Sequence, residues 1–223
     1  MVTLIRWCHP DKGLIPAAQF IGPAEQAGLM NALDHVVMDK SCAAIRALID
    51  HGVKNPRISI NISTAQLCDP NVSSRLQCHM DAHGVSQQHL RLELLETTLL
   101  DERSSVIVEN VHRLIAHGFS VELDDFGTGY AAIGTLRKFV VSQIKLDRSL
   151  VADIDRDPEL QMITGALIHL AAQLGIKTLG EGVETTAEQG MLEKLGCYRA
   201  QGFLHAHPMP LDRLMAWIDQ RTA

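Results

Sequence analysis

The stretch Val121-Glu122-Leu123-Asp124-Asp125-Phe126-Gly127-Thr128-Gly129-Tyr130 sets two adjacent carboxylates where an apolar, strand-like run enters a glycine-containing loop. Adjacent carboxylates repel unless a cation or a proton relieves them, so a pair at a strand end is either a metal site or a coupled acid and base. The pattern recurs on both sides of this stretch. Apolar runs end in Ile60-Asn61, Leu92-Glu93, Ile144-Lys145, Gly180-Glu181 with Glu184 just after, and Ala200-Gln201.

Runs rich in Val, Ile and Leu predict buried parallel strands near 2–7, 57–62, 90–95, 119–124, 141–146, 176–181 and 198–203. Amphipathic segments near 30–51, 70–83, 102–117, 131–138, 158–174, 185–195 and 210–221 alternate with them. In 158–174, Leu160, Ile163, Leu167, Leu170 and Leu174 share one helix face. Gly84, Gly118, Gly175 and Gly196 stand where helices should stop. Strand–helix alternation with polar groups at the same end of successive strands describes an α/β chain folded as a TIM-type (β/α)₈ barrel, its site on the C-terminal face. An open doubly wound sheet is the alternative, but it would gather a site at one switch point. The chain supplies seven strand-like runs, so a closed barrel needs one more. The expectation is a single domain over 1–223, a modified barrel whose N-terminal strand lay ahead of Met1.

Composition narrows the function classes. The 223 residues are 46% hydrophobic and 21% charged, as in soluble globular proteins. A net charge of −6 argues against binding duplex nucleic acid. The five cysteines are scattered and never spaced C-x-x-C, so neither a zinc site nor a disulfide framework is indicated. No apolar run approaches the ~20 residues of a membrane span, and no signal peptide opens the chain, so no membrane contact and a cytoplasmic location are expected.

Asn61, Glu93, Asp124, Asp125, Glu181, Glu184 and Gln201 are oxygen donors, the set that hard cations such as Mg²⁺ and Mn²⁺ prefer. So many converging carboxylates suit a two-metal site with Asp124 as the bridge, and Lys145 can sit among them to orient a water or offset charge. Each residue also has a plainer reading, since an isolated acidic group at a strand end more often caps the following helix. The pair His205 and His207 lacks the third partner a zinc site requires.

Taken in order, Leu4-Ile5-Arg6-Trp7-Cys8-His9-Pro10, Gly13-Leu14-Ile15-Pro16, Asn61-Ile62-Ser63, Glu93-Leu94-Leu95-Glu96, Asp124-Asp125-Phe126-Gly127-Thr128-Gly129-Tyr130, Lys145-Leu146-Asp147-Arg148-Ser149, Glu181-Gly182-Val183-Glu184-Thr185 and Gln201-Gly202-Phe203 resemble the EAL-domain family of bacterial cyclic di-GMP phosphodiesterases. The resemblance covers essentially the whole chain. It implies hydrolysis of cyclic di-GMP to linear pGpG in second-messenger signalling. It assigns one metal to Asn61, Glu93 and Asp124, and a second to Asp124, Asp125 and Glu184. Lys145 and Glu181 would prepare the attacking water, and Gln201 would complete the site. Leu4, Arg6 and Asp147 would contact substrate, and Glu96 would brace loop 125–130. The resemblance further implies Mg²⁺ or Mn²⁺ as cofactor, inhibition by Ca²⁺, and a homodimer formed through loop 125–130 and helix 131–138. In a longer parent protein, a sensor or GGDEF-type domain would lie upstream.

The chain departs from the family at several positions. The name-giving Glu-Ala-Leu falls on Val2-Thr3-Leu4, so a valine stands in place of the first glutamate ligand. Leu95 replaces a threonine, and Phe203 replaces a tyrosine. Val2 supports an alternative expectation, a catalytically impaired domain acting as a cyclic di-GMP receptor or protein-interaction module.

Overall fold

The computed structural model describes residues 1–99, 105–127 and 141–222. The chain divides into two compact units, one of Met1–Leu92, Glu109–Phe119 and Pro208–Ala223, the other of Glu93–Val108 and Ser120–His207.

In the first unit, Arg6–His9 (β1) and Gly13–Pro16 (β2) form an antiparallel hairpin with Trp7 opposite Ile15. This corrects the single parallel strand expected over 2–7. Only Val2 pairs in parallel, as an isolated bridge to Ser59, with Thr3 N donating to Ser59 O at 2.9 Å and Ser59 N to Met1 O at 2.8 Å. The chain folds back because His9 Nδ1 accepts from the amides of Asp11 (3.1 Å) and Lys12 (3.3 Å), while Gly13 takes φ 69°, which glycine adopts without strain. The helix Ala17–Gln26 was not anticipated, because Gly22-Pro23 in its middle reads as a break. Helices Met30–Asp50 and Val72–Ala82 pack apolar residues such as Met38, Ile45, Leu76 and Met80 into the core. Strands Ile58–Asn61 (β3) and Leu90–Leu95 (β4) follow, and the unit boundary falls within β4.

The second unit carries Ser120–Phe126 (β5), Gln143–Leu146 (β6), Lys177–Glu181 (β7) and Ala200–Gln201 (β8), with β5–β6, β6–β7 and β7–β8 all parallel. Strand order is β3-β4-β5-β6-β7-β8. A sequential order without reversal is that of a barrel; a doubly wound sheet would change direction at its switch point. The six other expected strands are thus β3 to β8. Helices Met30–Asp50, Val72–Ala82, Pro158–Gln173, Thr186–Lys194 and Leu211–Thr222 match expectation to within two residues at each end, and Ser105–Ala116 covers the described part of 102–117. The expected helix 131–138 lies outside the described residues. Gly118 and Gly175 follow their helices with φ 88° and 72°, as helix-terminating glycines do.

Pro158–Gln173 starts where Asp157 accepts from the amides of Glu159 and Leu160, with proline at the first helical position. Its buried face is not the leucine row but Thr164, Ile168 and Ala171; Ile163 and Leu174 stay exposed. Small groups decide this. Thr164 Oγ1 donates to Leu150 O at 3.0 Å, and a Cβ on Gly165 would come within 3.2 Å of Leu195.

Candidate active site

The strands of the second unit build the centre. Lys145, on β6, is 2% exposed, and its ammonium lies 2.7 Å from Asp124 Oδ1 on β5, 2.9 Å from Glu93 Oε1 on β4 and 2.6 Å from Glu181 Oε1 on β7. An ammonium has three protons, so these contacts exhaust it. Burial by itself would push the Lys145 amine down, but Glu93, Glu181 and Asp124 outweigh that and hold it above its ordinary value. Burial raises Glu93, with Lys145 opposing. Glu181 is pushed up to about 7 by burial, against the pull of Lys145. Neither oxygen of Glu93 makes a well-directed hydrogen bond, the Lys145 contact being an ion pair only.

A local irregularity brings the adjacent aspartates together. In a regular strand Asp124 and Asp125 would point to opposite faces. Here the β5–β6 register shifts between Leu123 and Phe126, and Asp125 takes φ 51°. Such a bulge re-aims side chains. Asp124, Asp125 and Glu181 each offer an oxygen within 4.8 Å of the others. Burial raises Asp125, and Asp124 and Asp147 add to the effect. A buried carboxylate with unused lone pairs beside three gathered acidic oxygens fits a hard divalent cation, whose ligands are oxygens. A cation here would also relieve the repulsion that raises Asp125.

The remaining expected residues sit as follows. Gln201 neighbours Glu181 in register on β8, and its carbonyl accepts from Val183 N at 3.1 Å. Glu184 pairs with Arg148 at 2.9 Å and is not one of the gathered oxygens. Asp147 caps the turn Arg148–Leu150, accepting from Ser149 N at 2.9 Å; burial pushes its carboxyl up, but hydrogen bonds from the Ser149 side chain and from the Ser149 and Arg148 amides together hold it below its ordinary value. Glu96 Oε2 accepts from Gly127 N at 2.9 Å, at the start of loop 125–130, whose residues 128–130 lie outside the described residues. A Cβ at Gly202 would sit 2.1 Å from Val183 O, so the backbones of the β7 and β8 loops approach as closely as they do only because residue 202 is glycine. In the first unit, Asn61 is exposed at the end of β3, and Leu4 is 48% exposed. Arg6 turns its guanidinium onto Ile5 O at 2.9 Å, and Val2 bridges Ser59.

Glu188 was overlooked in the sequence. Its Oε2 accepts from the amides of Glu184 (2.8 Å) and Thr185 (2.9 Å), its Oε1 from Asp153 N (3.3 Å), and Thr185 Oγ1 accepts in return from Glu188 N (3.1 Å). The Thr185-x-x-Glu188 spacing of a capping box could have revealed it.

The family model of the EAL domain matches residues 1–208. The chain belongs to the EAL domain family. It is 35% identical over 217 residues to the bifunctional diguanylate cyclase/cyclic di-GMP phosphodiesterase MucR of Pseudomonas aeruginosa, covering 97% of this chain and 31% of that protein. It is likewise 35% identical to the cyclic di-GMP phosphodiesterase PdeR of Escherichia coli, covering 96% and 32%. The chain thus spans about a third of the length of these relatives. Among solved structures, the PaMucR phosphodiesterase in complex with c-di-GMP aligns with TM-score 0.88 at 33% identity, over 96% of this chain and 86% of that one. The EAL enzyme Bd1971, bound to cAMP and cyclic-di-GMP, aligns with TM-score 0.91 at 28% identity, over 97% and 59%. The fold is therefore the modified TIM-type barrel of EAL domains, and among the described residues the only parallel pairing ahead of β3 is the Val2–Ser59 bridge. No helix among the described residues is long and apolar enough to cross a membrane.

Proposed function

We propose that the chain hydrolyses cyclic di-GMP to linear pGpG with the help of Mg²⁺ or Mn²⁺. The observation that carries this reading is the meeting of Asp124, Asp125 and Glu181 beside the Lys145 ion cluster, in a chain whose relatives are named cyclic di-GMP phosphodiesterases. Asp124, Asp125 and Glu93 would hold the cations, with Asn61, Glu184 and Gln201 as further oxygen donors. Divalent cations at such a site supply Lewis-acid stabilisation of the attacking and leaving oxygens at phosphorus. Glu181, poised at about 7, accepts a proton from the attacking water at its carboxylate. Lys145 holds Glu181 and Asp124 in place and offsets charge as the nucleophile forms. Arg6, Leu4 and Asp147 would contact the nucleotide, with the Arg6 fork matched to a phosphate. Glu96 would brace the loop after β5.

Val2 favours a second reading, a receptor that binds cyclic di-GMP without turning it over, since valine cannot ligate a metal. A homodimer through 125–138, a cytoplasmic setting and an upstream GGDEF-type or sensor domain complete the proposal. The length of the relatives supports the last of these.

The test is turnover of cyclic di-GMP followed by chromatography of pGpG. Activity is expected with Mg²⁺ or Mn²⁺, weak activity with Ca²⁺, whose looser coordination misplaces the reacting oxygens, and none in Asp124→Asn. Turnover undiminished in chelator would overturn the metal mechanism. Nucleotide binding by calorimetry without turnover in any metal would establish the receptor.

A further inference from the structure

Among the described strands β8 is the shortest, and it closes the sheet order: only Ala200 and Gln201 pair, with Gly180 and Glu181 of β7. So short a ladder fixes a strand poorly, yet this strand delivers Gln201 to the site. Arg199, whose carbonyl accepts from Gly180 N at 2.9 Å, extends β8 one residue back. Residues two apart on a strand share a face, so Arg199 stands one level beneath Gln201 as Gln143 stands one level beneath Lys145 on β6. The two lower residues meet. Arg199 Nη1 donates to Gln143 Oε1 at 2.9 Å, crossing β7 to do so. Neighbouring strands lie roughly 4.8 Å apart, so β6 and β8 are separated by about 10 Å, a gap that two long side chains can span together. Gln143 is 1% exposed, and its Nε2 makes no hydrogen bond among the described residues. Arg199 is therefore what orients the amide, since a guanidinium only donates and the carbonyl oxygen must face it. The bond is charge-assisted, and losing it would leave a buried acceptor unsatisfied.

We propose that Arg199 is a positioning residue for the site: through Gln143 it ties β8 to β6 and so holds Gln201 level with Glu181. The inference rests on the reading of Gln201 as an oxygen donor of that site. At its site end β8 is held by backbone contacts, with Val183 N donating to Gln201 O at 3.1 Å and Gly202 admitting the Val183 backbone. At its far end the side-chain tie to Gln143 takes over. A two-residue ladder held at one end only can tilt, and a tilt would carry Gln201 away from Glu181. The hydrogen bonds of Arg199 go to Gln143, Gly180 and Cys197, none of which belongs to the carboxylate cluster, so it acts on the site through the strand it anchors.

Mn²⁺ affinity of the full chain, read by electron paramagnetic resonance in Gln201→Ala, Arg199→Met, the double variant and Arg199→Lys, tests the assignment. Gln201→Ala and Arg199→Met should each weaken Mn²⁺ binding by about 10-fold, the lower end of the effects seen when a metal ligand loses its support. The double variant should bind no more weakly than Gln201→Ala, because Arg199 then has nothing left to place; a role confined to folding would not depend on Gln201 in this way. Arg199→Lys keeps one donor for Gln143 Oε1 and should recover most of the affinity. Far-UV circular dichroism checks folding, and Gln143→Met, which breaks the same bond from its other end, replaces Arg199→Met if that variant does not fold. Unchanged affinity in Arg199→Met beside a weakened Gln201→Ala, additive losses in the double variant, or no recovery with lysine would each overturn the positioning role alone. Unchanged affinity in Gln201→Ala would overturn the reading of Gln201 and the positioning role with it.

Discussion

The strand ends of the two units differ in charge and in burial. In the second unit the C-terminal halves of the strands carry buried Glu93, Asp124 and Lys145 and half-buried Glu181, the three carboxylates bound to the one ammonium. In the first, β3 ends in exposed Asn61, and the backbone beside it is bridged by Val2. Buried charges depend on one another, because each was taken out of water on the terms the others set. Neutral, exposed groups do not. Affinity for hard divalent cations should therefore be concentrated at the strand ends of the second unit.

The harshest test of that contrast removes its hub. Lys145→Ala leaves buried carboxylates without their cation and should cost about 3–5 kcal/mol of stability in chelator, as breaking a buried ion pair does. Urea unfolding with and without Mn²⁺ checks this, and Mn²⁺ should restore part of the loss. A loss below 1 kcal/mol would show that the hub matters little to folding.

Adding a carboxylate to the neutral side sharpens the comparison from the other direction. Val2→Glu should raise turnover at least ~10-fold, the size of ligand-shell effects. An unchanged rate in a folded protein that still binds the nucleotide would support the receptor reading.

Loosening the loop after β7 should have a smaller effect. Glu188→Ala removes a capping box and should cost about 1 kcal/mol. Glu188→Gln, whose single carbonyl oxygen can still accept from the Glu184 and Thr185 amides but not also from Asp153 N, should recover part of it in thermal unfolding.

The smallest expected effect is on pH dependence. Glu181 is raised from 4.5 to about 7, so its contribution to metal-free stability is complete below about 4.5 and lost as pH rises through about 7. The fall in Tm between pH 5 and pH 8 in chelator should be shallower in Glu181→Gln than in the wild type. Equal slopes would mean that Glu181 ionises normally.

Much of this was legible in the chain. Apolar runs of buried-strand length located β3 to β8, and helix periodicity located most helices, because both signals are local. The hairpin was missed since its cause, His9 turned onto the Asp11 and Lys12 amides, is a side-chain contact rather than a pattern. The helix Ala17–Gln26 was missed because Gly22-Pro23 argues against helix locally, whereas packing, with Phe20 buried, overrode it. The leucine row of 158–174 misled for a similar reason: periodicity reports a face, and small side chains decided which face could approach.

The sequence by itself determined which residues end the strands, and hence the acidic, oxygen-rich chemistry of the site and the family to which the chain belongs. Only the tertiary structure decided how those residues share their work. The β5 bulge turned two neighbouring aspartates to one side, parallel register drew Glu93, Asp124 and Glu181 around Lys145, and Glu184 went instead to Arg148. The physical reason is that side-chain identity is written along one dimension, whereas the energy of a buried charge depends on which other charges three-dimensional packing brings within hydrogen-bonding distance.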